Sequence, residues 1–326
     1  MTKYALQALT GIFFTVLGMQ IAQAQAQSFP SRSLTLVVPF APGGNVDVVA
    51  RAIAPELSKI LGQSVVVENK AGAGGSIGST YVSRAEPDGY TLLVATTNTI
   101  GVLPNMLKVP PYKVDSFQPV TLAAISPLVI VVRKDDKRFP DAKALFSSAK
   151  ATPNTISVGH AGQGTSNHIA ILRLEDVSHL SFNVIPYKGS APGLTDLMGG
   201  QLDFVVDQIT SSKPFVDAGT LRVLAVFSKE RDPGLPDAPT LKEAAGIDLE
   251  VNTTSGILAP PGLPASTLQI LNAAFKKALD KPSVKGRLSS VGSIALSSTP
   301  QEWTAMLNQE YSSAQKLVQS GKIKAE

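Results

Sequence analysis

The first strong pattern is an apolar run, residues 34–40, in which Leu34, Leu36, Val37, Val38 and Phe40 read as a strand buried on both faces. The run breaks at Pro39 and passes through Gly43-Gly44 into a helix with apolar positions at Val46, Val49, Ile53, Leu57 and Ile60. Asn45 is a suitable N-cap for that helix, and Pro55 inside it should kink or split it. A strand that feeds a glycine loop and then a helix N-terminus presents free N–H groups at the carboxyl end of a sheet, which is an anion-binding arrangement. A plain βα connection has the same pattern.

This succession of elements recurs. Residues 64–68 form a second strand, and the glycine loop 71–80 leads into a helix through Tyr81 and Val82. Residues 90–95 form a third buried strand that ends in Thr96-Thr97-Asn98-Thr99, a cluster suited either to capping or to a ligand. Residues 117–125 and 128–133 read as consecutive strands with Ser126-Pro127 as a hinge between them, and 141–150 as a polar helix. The strand 155–160 then runs through Gly162, Gly164 and Ser166 to His168 and a helix that Thr165 or Ser166 would cap. Further strands are expected at 182–186, 202–207, 221–227 and 249–258, with a short helix from Pro192 to the Gly199-Gly200 stop. A helix over 266–279 follows, and the last begins at Thr299-Pro300-Gln301-Glu302, a capping box, burying Trp303, Met306, Leu307 and Tyr311.

Glycines at 72, 74, 75 and 78 give GxGGxxG, which is not the GxGxxG dinucleotide fingerprint, and no GK[ST] follows to make a P-loop. The pattern as a whole is α/β: two βα lobes with glycine loops at the carboxyl ends of their strands, joined by two crossings, as in a hinged binding protein.

The chain has 326 residues, enough for two lobes. Residues 1–26 carry Lys3 as their only charge, then an apolar stretch and an A-x-A pattern at Ala22, Ala24 and Ala26, the features of a secretory signal peptide cleaved after Ala24 or Ala26. The absence of cysteine excludes a lipid anchor on cysteine, disulfides and thiolate chemistry. Together these point to the bacterial periplasm. A net charge of +4, lowered by one when Lys3 leaves, is spread without basic runs, which argues against nucleic acid and modestly favours a small anion.

The segments VVPFAPGGNVD, GQSVVVENKAGAGGSIG, AEPDGYTLLVATT, GQGTSNH, PYKG, DLMGGQLDF and ILAPPGLP resemble, in order and almost end to end, the Bug-type periplasmic solute receptors of tripartite tricarboxylate transporters. The resemblance implies a two-lobed type II periplasmic binding protein fold with a ligand cleft between the lobes: 27–125 and 250–326 in the first lobe, 126–249 in the second. It implies a monomer that binds a small carboxylate and delivers it to integral membrane subunits, with no catalytic residue, metal or cofactor. Carried over by position, the ligand-binding residues are Phe40, Ala41 and Asp47 in the first loop, Gly78 in the second, Thr96 and Asn98 after the third strand, Thr165, Ser166 and His168 in the second lobe, and Asp207. Gly44 and Gly164 would let backbone approach the ligand. Many relatives carry a tryptophan near Thr254 and many lack His160, so dicarboxylates, amino acids and aromatic acids all stay open as ligands.

Weighed by their own chemistry, some of these residues have structural roles as well. Asp47 in a first helical turn stabilises the dipole, and His168 can serve as a surface residue of its helix. His160 is the histidine expected to face the cleft, and Lys188 is the only cation in a predicted cleft loop. The alternative function is a secreted hydrolase acting on a carboxylate ester. It would need a nucleophile on a turn such as G-x-S-x-G, which Gly164-Thr165-Ser166-Asn167-His168 does not provide, and no HExxH supports a zinc site.

Overall fold

The computed structural model describes residues 29–232 and 234–319, and the elements given below belong to the unit Arg32–Glu326. The segment expected to be a signal peptide lies outside the described residues. The chain runs β1 (Leu34–Val38), α1 (Asn45–Leu61), β2 (Val65–Asn69), α2 (Ser76–Ser83) and β3 (Thr91–Thr96), then through short helical turns over residues 98–106. After β4 (Gln118–Arg133) come α3 (Ala142–Ala151), β5 (Ser157–His160), α4 (Ser166–Ser178), β6 (Asn183–Pro186), α5 (Ser190–Met198), β7 (Phe204–Gln208), α6 (Ile209–Asp217) and β8 (Leu221–Val226). Then follow α7 (Leu241–Ala245), β9 (Asn252–Ala259), α8 (Ala265–Leu279), α9 (Pro282–Ser289), β10 (Ile294–Ala295) and α10 (Pro300–Gln319).

The strands form two sheets that share β4. In the first, β2, β1 and β3 are parallel, β9 lies antiparallel beside β3, and the first half of β4 pairs with β9 and β10. In the second, the other half of β4 lies between β7 and β8, both antiparallel to it, and β5 and β6 extend the sheet parallel to β7. The expectation of two strands interrupted at Ser126-Pro127 is therefore corrected: β4 is continuous. Ser126 and Pro127 stay in register with Thr253 and Asn252 of β9, and the strand changes sheets at this point.

The apolar run of β4 is buried on both faces because both carry helices. Leu128, Ile130 and Val132 pack in one core with Phe139, Leu145, Leu174 and Phe204. Val129 and Val131, one residue out of phase, pack in another with Leu194, Leu197, Val205 and Ile209. This is the two-sided burial that continuous apolar strands signal. In the first sheet, Val37, Leu93 and Leu258 share a core with Trp303 and Leu307 of α10. A Cβ on Gly256 of β9 would lie 2.6 Å from the Trp303 ring, so the missing side chain makes the seat for the indole. Met306, expected in that core, is 36% exposed instead. The capping box is present: Thr299 N–H donates to Glu302 Oε2 (2.8 Å) and Glu302 N–H to Thr299 Oγ1 (3.2 Å).

Two expectations for α1 are also corrected. Of the kink or split expected at Pro55, the split does not occur: the helix runs through it, and the Arg51 carbonyl that proline leaves without its usual donor accepts from Arg287 Nη1 (3.5 Å). The N-cap is Gly44, with Asn45 already inside the first turn.

Candidate functional site

The loops that leave the carboxyl ends of β1, β3, β5 and β7 and the loop after β6 meet around one small cavity. From the first-sheet side it is lined by Phe40, Asn45, Val46 and Thr96. From the second it is lined by Ala161, Thr165, Ser166, Asn167, Ser190 and Gln208. Its water-accessible space is about 20 Å³, the scale of a single water. A wider space of about 600 Å³ lies between Ala73, Gly74, Ser76 and Leu103 on one side and Gly162, Gln163, Tyr187 and Lys188 on the other.

Direct contacts bind the two sides together. Ala41 N–H donates to the Lys188 carbonyl (3.2 Å), Ser166 Oγ donates to Asn98 Oδ1 (2.8 Å), and Thr210 Oγ1 donates to Asn45 Oδ1 (2.6 Å). Gly74, at φ +63°, sits so close to the 161–168 loop that a Cβ there would be 2.2 Å from the Gln163 carbonyl oxygen. Of the second loop's glycines, Gly74 therefore serves contact between the two halves.

No lining residue of the small cavity is charged, but helix N-termini face it. Asn45, Ser166, Ser190 and Gln208 place the N-terminal ends of α1, α4, α5 and α6 around it. The N-caps of three of these helices, Gly44, Gly189 and Gln208, make no side-chain capping bond. Only α4 is capped by a side chain, Thr165 accepting from His168 N–H (3.5 Å). First-turn N–H groups have no partner within their helix, and each N-terminus carries roughly half a positive charge. One further donor points the same way. Asn45 is 4% exposed, its Oδ1 accepts from both Thr210 and Ser126, and its Nδ2 has no partner. A buried amide donor without a partner is costly unless a ligand or a water meets it.

Behind the lining, polar side chains fix one another. Gln208 Nε2 donates to Asn167 Oδ1 (2.9 Å) and Thr253 Oγ1 (3.0 Å), while Asn167 Nδ2 donates to the Val206 carbonyl (2.9 Å). Fully buried Asp207 accepts from Ser211 and Ser212 hydroxyls (2.6 and 2.7 Å). Burial pushes its carboxyl above the usual range, and those hydroxyls with Ser190 oppose the rise without cancelling it.

Of the residues expected at the site, Phe40, Thr96, Thr165 and Ser166 line the cavity. Ala41 and Asn98 contribute to the contacts across it, and Gly44 is the N-cap of α1, backed by Ser190. Asp47 faces away: it accepts from Gly43 N–H, Asn69 Nδ2 and Arg51 Nε, all at 2.9 Å, and so braces the first glycine loop. Burial works to raise its pKa, but these bonds, that of Arg51 foremost, outweigh it and leave the carboxyl below its usual range. Gly78 is a packing glycine, with room for no Cβ against Pro39 (2.8 Å). Gly164, at φ +71°, abuts Leu103 and donates its N–H to His168 Nδ1 (3.2 Å). Asp207 lies one residue behind the lining, where Gln208 takes the lining position.

His160 does not face the cleft; it is 4% exposed and stacked on His168, ring centroids 4.6 Å apart. Burial, and then the neighbouring imidazole of His168, lower its pKa to about 3, so it is neutral at physiological pH. Lys188 lines the wider space with its side chain exposed. Among the described residues no three His, Asp or Glu side chains gather into a metal-binding group. The residues that sequence reasoning missed as site members are Asn45, Val46, Ala161, Asn167, Ser190 and Gln208. Each lies within two residues of a strand's end or a helix's start, a signal strong enough to mark Asn45 but not Gln208, whose helix α6 carries Pro214 and has no clear apolar period.

The model of the Tripartite tricarboxylate transporter family receptor matches residues 49–323 of the chain. The structure of the periplasmic binding protein BugD is similar at 35% identity and TM-score 0.86, over 91% of this chain and 100% of that one. MatC (Rpa3494) from Rhodopseudomonas palustris, solved with bound malate, is 34% identical with TM-score 0.83, over 89% of this chain and 100% of that one. Rpa4515 from R. palustris, solved with adipate, is 30% identical with TM-score 0.86, over 91% and 99%. The α/β fold expected from the sequence, two lobes with a cleft between them, is thus that of these periplasmic binding proteins. By the reach of the family match and by these likenesses, the chain belongs to the solute receptors of the tripartite tricarboxylate transporter family.

Proposed function

We propose that this receptor binds a small dicarboxylate without an amino group in the cavity between its lobes and delivers it, as a periplasmic monomer, to integral membrane subunits of its transporter. The observation that carries the reading is the convergence of helix N-termini, three of them uncapped by side chains, on a cavity with no charged lining residue. Such an array neutralises carboxylates through backbone N–H groups. It holds no carboxylate side chain to pair with an ammonium, which disfavours amino acids. Relatives solved with malate and adipate agree with this ligand class.

Lobe boundaries at residues 126 and 250 are supported by β4 passing between the sheets at Ser126-Pro127. The space of about 20 Å³ is smaller than malate, so ligand entry requires the lobes to part about this crossing. Against hydrolysis, the Ser166 hydroxyl is engaged by Asn98, and His168 Nδ1 accepts from a backbone N–H, so the loop that carries both is not arranged as a nucleophile and its base. Titration calorimetry with malate, succinate, adipate, glutamate and benzoate tests the proposal. Tightest binding by one of the three dicarboxylates is expected. Preference for glutamate or benzoate, or no binding by any dicarboxylate, would overturn it.

A further inference from the structure

We infer that Asn45 is the specificity-determining side chain of the cleft: its Nδ2 donates directly to a ligand carboxylate, and its orientation is completed by a contact from Thr210 that forms when the lobes close. The inference rests on the dicarboxylate reading above and adds to it a residue and a coupling.

Three observations support it together. First, the amide is placed at the cavity by the first turn of α1, in an uncapped helix end that already attracts an anion. Second, its two ends are in different conditions. Oδ1 is saturated by two hydroxyls, Thr210 Oγ1 at 2.6 Å and Ser126 Oγ at 2.9 Å, whereas Nδ2 is buried with no partner. With the oxygen bound on its protein side, the amide has only its nitrogen left to offer a ligand, and a carboxylate oxygen is a suitable acceptor. Third, the two hydroxyls come from different parts of the fold. Ser126 sits where β4 changes sheets, and Ser293 Oγ steadies it at 2.8 Å, while Thr210 belongs to α6 beside the second sheet. The Thr210 bond therefore forms on closure. Added to the Ser126 bond, it completes the orientation of the Asn45 donor at the moment when the ligand is enclosed.

The coupling gives Asn45 a role that a backbone N–H cannot have. Helix N-termini are present in the open and closed forms alike, whereas this donor is fully held, by both hydroxyls, only in the closed one. A ligand that reaches Nδ2 favours closure by its differential contact, and one too short to reach it does not.

The test uses the full receptor and the dicarboxylate that binds it tightest among malate, succinate and adipate. Asn45→Ala removes the donor and should weaken binding about 10- to 100-fold, the effect of one hydrogen bond to a charged group. Asn45→Asp keeps an oxygen for Thr210 and Ser126 and places an acid in the first turn of α1, where it supports the helix. It should melt no lower than the parent yet bind more weakly than Asn45→Ala, because it sets a negative charge against the ligand. Stability and affinity then move apart, which a purely structural role would not produce.

Thr210→Val tests orientation. It should weaken binding several-fold in the parent and have no effect in the Asn45→Ala background; an equal effect in both backgrounds would refute the coupling. If the parent binds a dicarboxylate and Asn45→Ala and Asn45→Asp bind it within twofold of the parent, the assignment of Asn45 is overturned and the function stands. If the parent binds none, the function reading itself falls.

Discussion

Gly74 gives a stringent test of closure because its neighbours can be compared with those of another left-handed glycine. Gly74 has φ +63° and Gly62 has φ +66°. A Cβ on Gly62 would meet nothing within 4 Å, whereas one on Gly74 would lie 2.2 Å from the Gln163 carbonyl oxygen and 3.3 Å from Leu103. Both alanine substitutions incur the left-handed penalty, about 1–2 kcal/mol, in open and closed forms alike. Only Gly74→Ala adds a clash across the cleft, where the halves must separate by more than about 1 Å to restore ordinary contact. Overpacking of this kind costs roughly 1–3 kcal/mol. Charged to the closed form alone, it lowers affinity roughly 5- to 150-fold. Titration calorimetry with the tightest-binding dicarboxylate, beside thermal melts of the free proteins, separates the two effects. Gly62→Ala should melt lower and bind like the parent, and Gly74→Ala should melt lower and bind more weakly. Equal affinity in Gly74→Ala would mean that contact between the 71–80 and 161–168 loops plays no part in binding.

Other consequences follow from single side chains. Asp47→Asn removes the carboxylate that Gly43 N–H and Arg51 share, and should cost about 1–3 kcal/mol in urea unfolding; an unchanged midpoint would deny it the bracing role. His160 has a folded pKa of about 3, so between that value and the ordinary 6.5 the unfolded chain binds the extra proton. Its contribution to stability is complete above 6.5 and is lost as pH falls toward 3, with about 2 kcal/mol gone between pH 7 and pH 5. His160→Phe keeps a ring to stack on His168 and should lose about that much less over the same interval; identical losses in variant and parent would exclude His160 as the source. N-terminal sequencing of protein from a periplasmic fraction should begin near Gln25 or Gln27, and an intact Met1 there would refute the signal peptide.

Much of the architecture is legible in local pattern. The buried run of β1, the glycine turn into α1 and the Thr299–Glu302 capping box follow from side-chain burial and N–H satisfaction within a few residues, and the structure contains each. Long-range circumstances are not legible. Ser126-Pro127 reads as a break, but β9 pairs alongside and carries the strand through. Pro55 reads as a kink or a split, but the helix is not split, and Arg287, distant in sequence, supplies a donor to the freed carbonyl.

The site divides in the same way. Thr96, Thr165 and Ser166 stand out in the sequence as hydroxyls at the ends of strands. Asn45 reads only as a cap, because the hydroxyls that occupy its oxygen come from α6 and β4. His160 reads as facing the cleft, and the stacked ring of His168 is what covers it. Asp47 reads either as a first-turn acid or as a ligand contact, and the bonds from Arg51 and Asn69 that settle its carboxylate come from side chains the local pattern does not show.

The most direct measurement of carboxylate capture by helix ends is a crystal structure of the mature receptor grown with malate. Malate is expected between the lobes, its carboxylates facing the N-terminal turns of α1 and of α4, α5 or α6, with Asn45 Nδ2 within hydrogen-bond distance and no lysine or arginine side chain touching it. Malate bound instead beside Lys188 in the wider space, or a carboxylate clamped by a cationic side chain, would contradict it.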